Sequence, residues 1–159
     1  MWWCGDITHN KVKSVYLKEY DIDGLEAAWA DVMIDKKHMV VDSLYIAPGD
    51  IDMLALLDTV VDKILHCYSH ILIAMDSSSS LRDDTCIGIP HSRRSLQMGV
   101  QLNNIIIKYS LQIHNDGTAT YRSGDISTAH DVTLSKGISD YGTVIWCVTD
   151  DNLQSPQST

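Results

Sequence analysis

The sequence contains no phenylalanine. Its large apolar volume therefore has to come from Leu, Ile, Val, Met, Tyr and Trp. Positive charge is also scarce: 12 Lys and Arg stand against 21 Asp and Glu, a net charge of -9 with His neutral and a pI near 5.0. Affinity for DNA comes largely from Lys and Arg on phosphates. This balance argues against strong non-specific nucleic-acid binding, while leaving room for a local basic patch or a metal-binding carboxylate cluster. Long hydrophobic runs are missing as well. None approaches the roughly 20 residues that span a bilayer, so no membrane partner is expected. The opening "MWWCGDITHNK" has neither a basic n-region nor a long apolar h-region, so it is not expected to be a signal peptide. The four cysteines, Cys4, Cys67, Cys86 and Cys147, are far apart and form no C-x-x-C pair. That speaks against a zinc knuckle or a redox motif and points to reduced thiols in an intracellular protein. Nothing here separates nucleus from cytoplasm, and there is no internal repeat.

What is present is ordinary for a globular domain: 159 residues, 45% hydrophobic and 21% charged. That length suggests one domain with a real core. A domain over 1–150 and a polar tail over 151–159, "DNLQSPQST", are expected. Two stretches read as helices. In the first, Ile51 to about Ser69, the apolar residues Leu54, Leu57, Val61, Ile64 and Leu65 recur at three- and four-residue steps. Asp50 suits its N-cap and Asp52 the positive end of its dipole. The second runs from about Ser92 to Tyr109, with Ser92 as N-cap and Leu96, Val100, Asn103 and Ile107 marking one face.

Strands are expected over 39–46 ("MVVDSLYI"), 71–75 ("ILIAM"), 111–114 ("LQIH"), 119–122 ("ATYR"), 131–134 ("DVTL") and 143–149 ("TVIWCVT"). "ILIAM" is apolar throughout, as a strand covered on both faces would be. "ATYR" reads as the return strand of "LQIH" across the turn "NDGT". "GLEAAWADVMI" (24–34) has the Ala and Glu content of a helix but precedes the tight polar turn "DKKH" and another strand. It is taken as the first arm of a hairpin. The order is strand, strand, helix, strand, helix, then several strands, a layered α/β arrangement with antiparallel pairing.

Several residues could carry chemistry. Asp76 ends an apolar strand and is followed by "SSSS". A carboxylate so placed suits metal binding or general-base work; it equally suits a loop cap bonding its own backbone. Asp131 heads another apolar strand and could orient a group across a site shared with Asp76, or simply start its strand. His66 and His70 stand four apart, a spacing that can hold a metal, but no third ligand is evident nearby. A His at a helix C-terminus also favours the dipole. Arg93 and Arg94 in "HSRR" lie near a helix N-terminus, where they could touch phosphate or form a solvated turn.

In order along the chain, these pieces resemble the endonuclease domain of non-LTR retrotransposons, within the endonuclease/exonuclease/phosphatase superfamily. "GLEAAWADVMIDKKHMVVDSLYIAPGD" is similar to that family's hairpin ending in V-Y-x-P-P-G. "LLDTVVDKILHCYSHILIAMD" looks like its helix and the strand ending in G-D-F-N. "RRSLQMGVQLNNIIIKYSLQIHNDGTATYRS" looks like its R-G-x-x-L helix followed by L-N-x-G-x-P-T-Y. "STAHDVTLS" is similar to S-x-I-D-L-T-L and "VIWCV" to W-x-V. The likeness spans roughly residues 24–150.

The resemblance implies a layered α/β sandwich of the deoxyribonuclease-I-like type, incomplete at its N-terminal side. It also implies a Mg²⁺-dependent phosphodiesterase that nicks DNA. Carried over by position, Asp76 matches the Asp of D-x-N, and Ser78 stands where its Asn should be. Asn115 matches the Asn of the L-N turn, Asp131 the Asp that supports the catalytic His, and Thr120 and Tyr121 the T-Y pair on the nucleic acid. Arg93 and Arg94 fall on the R-G-x-x-L segment. The family's S-D-H falls on Ser155-Pro156-Gln157, which has neither the Asp nor the His, and no metal-binding Glu segment is recognisable before Gly24. A positioned acid or base contributes about 10²–10⁴-fold and a metal-stabilised phosphoryl site several kcal/mol more. Little or no nuclease activity is therefore expected, and a sheet lacking edge strands would be marginally stable or prone to aggregate.

Overall fold

The computed structural model describes residues 12–77, 93–115, 118, 121–123, 126–128 and 131–141. They form β1 (Lys13–Tyr16), β2 (Glu26–Ile34), β3 (Lys37–Tyr45), α1 (Ile51–Cys67), β4 (Ile71–Asp76), α2 (Arg93–Tyr109), β5 (Gln112–Ile113), β6 (Tyr121–Ser123), β7 (Ile126–Thr128) and β8 (Asp131–Lys136). Six strands make one mixed sheet in the order β1-β2-β3-β4-β8-β5, and β6 and β7 make a separate two-stranded sheet. The β3–β4 pair is parallel; every other pair among the described residues is antiparallel.

The β2–β3 hairpin closes through Asp35 and Lys36, both at positive φ (49° and 66°). Two successive left-handed residues give the turn whose twist matches that of the strands it joins. The parallel step from β3 to β4 requires a crossover, and α1 provides it. Its Asp50 side chain accepts a hydrogen bond from the Met53 N–H at 3.3 Å, capping the helix as its sequence suggests.

Alternation in the strands buries one face against the helices. Val40 and Leu44 of β3, Ile71, Ile73 and Met75 of β4, and Val132 and Leu134 of β8 share one core with Leu54, Leu57 and Ile64 of α1 and Met98, Leu102 and Ile105 of α2. Across the helix pair, Lys108 Nζ donates to the Asp58 carboxylate at 2.9 Å and Tyr109 Oη to the Asp58 carbonyl at 3.0 Å.

Three expectations need correction, and one strand was not expected. The buried face of α2 is not Leu96–Val100–Asn103–Ile107. Met98, Leu102, Ile105, Ile106 and Tyr109 face the core, while Val100 and Ile107 are 52% and 66% exposed. The helix carries two apolar stripes, and the series beginning at Met98 is the one that Asn103 does not interrupt. "ATYR" is not the partner of "LQIH": β5 pairs with β8, and β6 pairs with β7. Only Gly124 and Asp125 separate β6 from β7, a spacing typical of a tight hairpin. "ILIAM" is covered fully on one face alone, because Ala74 on the other is exposed. β1 is an edge strand that the sequence reading did not anticipate, and all four of its residues are exposed. The strand expected over 143–149, the polar tail, and Ser92 as N-cap lie outside the described residues.

Candidate active site

Directly paired residues on neighbouring strands project from the same face of a sheet. Tyr45 of β3 pairs with Asp76 of β4, and Asp76 pairs with Asp131 of β8. Their chain neighbours Leu44, Met75 and Val132 are buried under the helices. By alternation, Tyr45, Asp76 and Asp131 therefore project from the opposite face, and all three are exposed. Glu26 of β2 pairs with Tyr45 and extends the row to a fourth strand. Opposed Cβ atoms in such a pair lie about 4.5–5.5 Å apart. The row thus offers a phenol beside two neighbouring carboxylates, at the end of the sheet where the parallel strands β3 and β4 terminate. Ligands of open sheets characteristically bind beyond the carboxyl ends of parallel strands.

The backbone around the row is tightly held. The Ile46 N–H donates to the Asp76 carbonyl at 2.8 Å, and Ser77 is fully buried. Asn115, also buried, grips β8 at two points. Its Nδ2 donates to the Asp131 carbonyl at 2.8 Å, and its Oδ1 accepts from the Thr133 N–H at 2.7 Å. The amide acts as an extra piece of strand and sets the position of Asp131. His114 lies next to it, and its Nε2 meets the Ser135 hydroxyl, so the ring turns along β8 away from Asp131. Burial pushes the His114 imidazole below its ordinary value, favouring the neutral form.

Of the residues singled out from sequence, Asp76, Asn115 and Asp131 thus meet at one end of the sheet. Arg93 and Arg94 open α2, and Tyr121 opens β6 in the separate hairpin. Ser78 and Thr120 lie outside the described residues. The His66–His70 spacing does not make a metal pair: His66 Nδ1 lies 2.6 Å from the Asp62 carbonyl one helical turn back, and His70 begins beyond the helix end. Among the described residues no group of three or more His, Cys, Asp or Glu is arranged to hold a metal ion.

Two residues escaped the sequence reading. Tyr45 could have been found from its place just before "IAPGD", where an apolar strand ends. Asp42 lies on the helix-facing side of β3 and is 1% exposed. Burial pushes its carboxyl well above the usual carboxylate range, with the amides of Ala28 and Ser43 opposing that in part.

The fold is α+β: a six-stranded mixed sheet backed by two helices, with Tyr45, Asp76 and Asp131 at its strand ends. The structure is similar to the endonuclease domain of TRAS1, a telomere-specific non-LTR retrotransposon, with a TM-score of 0.68 and 16% identity over 91% of this chain and 64% of that one. It is also similar to the 3'-5' exonuclease NExo from Neisseria meningitidis, with a TM-score of 0.54 and 11% identity over 79% of this chain and 58% of that one. The chain thus spans less than two thirds of the length of either neighbour. No protein-family model and no curated protein matches the sequence. Among the described residues, no helix is long and apolar enough to cross a membrane.

Proposed function

We propose that this chain is a nucleic-acid phosphodiesterase-type domain of the retrotransposon endonuclease kind, with little or no hydrolytic activity of its own. The observation that carries this reading is the pairing of Asp76 with Asp131 at the strand ends of a sheet similar in fold to a retrotransposon endonuclease. The case for inactivity rests on sequence. Ser78 stands two residues after Asp76, where an Asn would help hold the attacking water, and its short hydroxyl lacks an amide's reach and second donor. The positions matching S-D-H carry Ser155, Pro156 and Gln157, so that neither the histidine nor the metal-linked aspartate is supplied there. Among the described residues no third metal-binding group joins the two carboxylates, and Mg²⁺ held by one or two carboxylates relies on substrate phosphate to complete its shell. A net charge of -9 weakens DNA binding in turn.

Incubating the full chain with supercoiled plasmid and Mg²⁺ tests this. No conversion to the nicked circle above the buffer control is expected. Mg²⁺-dependent nicking that disappears in Asp76→Ala would overturn the inactive reading in favour of an active endonuclease, which the intact Tyr45–Asp76–Asp131 row favours. A third reading, a non-enzymatic protein-binding module, is favoured by the exposed apolar residues Val100 and Ile107 on α2. A saturable partner that is lost in V100S/I107S, together with no nicking, would select it.

A further inference from the structure

Asp42 occupies the middle of β3, paired with Trp29 of β2 on one side and Ile73 of β4 on the other. Val40 and Leu44, which share its face, are core residues. The amides of Ala28 and Ser43 are close enough to favour its charge in part, but among the described residues neither carboxyl oxygen meets a donor in hydrogen-bond geometry. The indole Nε1 of fully buried Trp29 has no partner among the described residues either. A carboxylate in such a place would lose its hydration with no counter-charge in return, and groups so buried neutralise instead.

The titratable groups on the surrounding elements do not change this. On β2, Asp31 shares the face of Trp29, but its carboxylate is bound to His38 at 2.8 Å. From α1 the buried side chains are apolar, and its acids Asp58 and Asp62 are engaged by Lys108 and Tyr109 of α2. Beside α1, the phenols of Tyr20 and Tyr68 are pushed up by burial, Tyr20 to about 12, and stay neutral. On β4 the neighbours are Ile71, Ile73 and Met75.

We propose that Asp42 makes the folding of this domain proton-linked: the folded chain holds its carboxyl as the neutral acid, the unfolded chain releases that proton, and the folded population falls as the pH rises. The sign follows from proton counting. Above the ordinary carboxylate range the unfolded state binds one proton fewer at this site than the folded state. Each pH unit then costs roughly tenfold in the ratio of folded to unfolded chains, until the folded acid itself ionises. The stabilisation is complete below the unfolded value and is lost as pH rises towards the folded one. β3 also carries Tyr45 and aligns β4, which ends in Asp76, so ionisation of Asp42 loosens the strands that present the acidic row.

The test is urea denaturation of the full chain from about pH 5 to about pH 8, wild type against Asp42→Asn, which keeps the shape of the neutral acid and cannot ionise. The difference between the two curves cancels all other titrations, His114 included. The Asp42→Asn variant should gain on the wild type by up to roughly tenfold in the folded-to-unfolded ratio per pH unit. Parallel curves would overturn the proposal. Should that variant not fold, carbon-13 NMR of the wild type labelled in its Asp carboxyls decides. One resonance still protonated at about pH 7 supports the proposal, and a full set of ionised aspartates refutes it.

Discussion

Replacing Asn115 by Ala removes the clamp on β8 while leaving the rest of the sheet in place. Two hydrogen bonds disappear, at 2.8 Å to the Asp131 carbonyl and 2.7 Å from the Thr133 N–H. Each is worth about 0.5–1.5 kcal/mol net. A backbone N–H left without a partner away from water adds a desolvation penalty of about 1–3 kcal/mol, but Thr133 is only half-buried and water recovers part of it. The expected loss is therefore about 2–3 kcal/mol. At about 2–4 °C per kcal/mol for a chain of this size, the melting temperature should fall by roughly 4–12 °C. Urea denaturation measures the first quantity and a thermal melt the second. Hydrogen exchange at the Thr133 amide isolates the local effect, because that N–H is the one that donates to Asn115. Asn115→Asp is the sharper companion. It keeps an acceptor for Thr133 but sets a carboxylate against the Asp131 carbonyl, so it should recover stability as the pH is lowered and the acid protonates. A loss under about 0.5 kcal/mol in Asn115→Ala, with Thr133 exchange unchanged, would show that the amide does not hold β8.

On α2, Leu102→Ala should cost about 2–5 kcal/mol because Leu102 is fully buried, whereas Ile107→Ser should stay within about 0.5 kcal/mol; equal losses by denaturation would contradict the assigned helix face. Gly137→Ala should be destabilising by more than about 1 kcal/mol. Gly137 has φ +74°, and a Cβ there would lie 2.6 Å from His70 Cδ2 and 2.8 Å from the Ser69 carbonyl oxygen. A melt unchanged from the wild type would remove that steric argument.

The parts of the fold that could be read from sequence are those where one pattern dominates. α1 has a single clean apolar stripe and a capping Asp50, and both are found in the structure. β2 was ambiguous by composition, yet the short turn and the strand after it settled its type, since a hairpin arm must match its partner. α2 was legible as a helix but not in its orientation, because it carries two apolar stripes, Leu96–Val100–Ile107 and the series from Met98, and tertiary packing selects the second. The pairing of β5 was hidden for a related reason. Proximity in sequence favoured "ATYR", while the structure pairs β5 with β8 from much farther along the chain. Asp42 was overlooked for a different reason. In "MVVDSLYI" an aspartate reads as a marker of the solvent face, but alternation places it with Val40 and Leu44 in the core. A site shared by Asp76 and Asp131 could be raised from their places at strand ends, but not their direct pairing, since strand register is not written in either strand alone.

That register has a consequence for how such a site can change over time. Asp76 and Asp131 are held side by side by ladder pairing between β4 and β8, not by the chain that joins them. The serine run and α2 all lie in the intervening stretch. Substitution or length variation in the serine run beyond Ser77 leaves the ladder pairing of the two acids untouched, so that segment can drift while the pair persists. A shift of β8 by one residue would do the reverse, turning Asp131 towards the helices and Val132 outwards. The scaffold thus separates what is free to wander from what is fixed, and the Asn115 clamp falls on the fixed side.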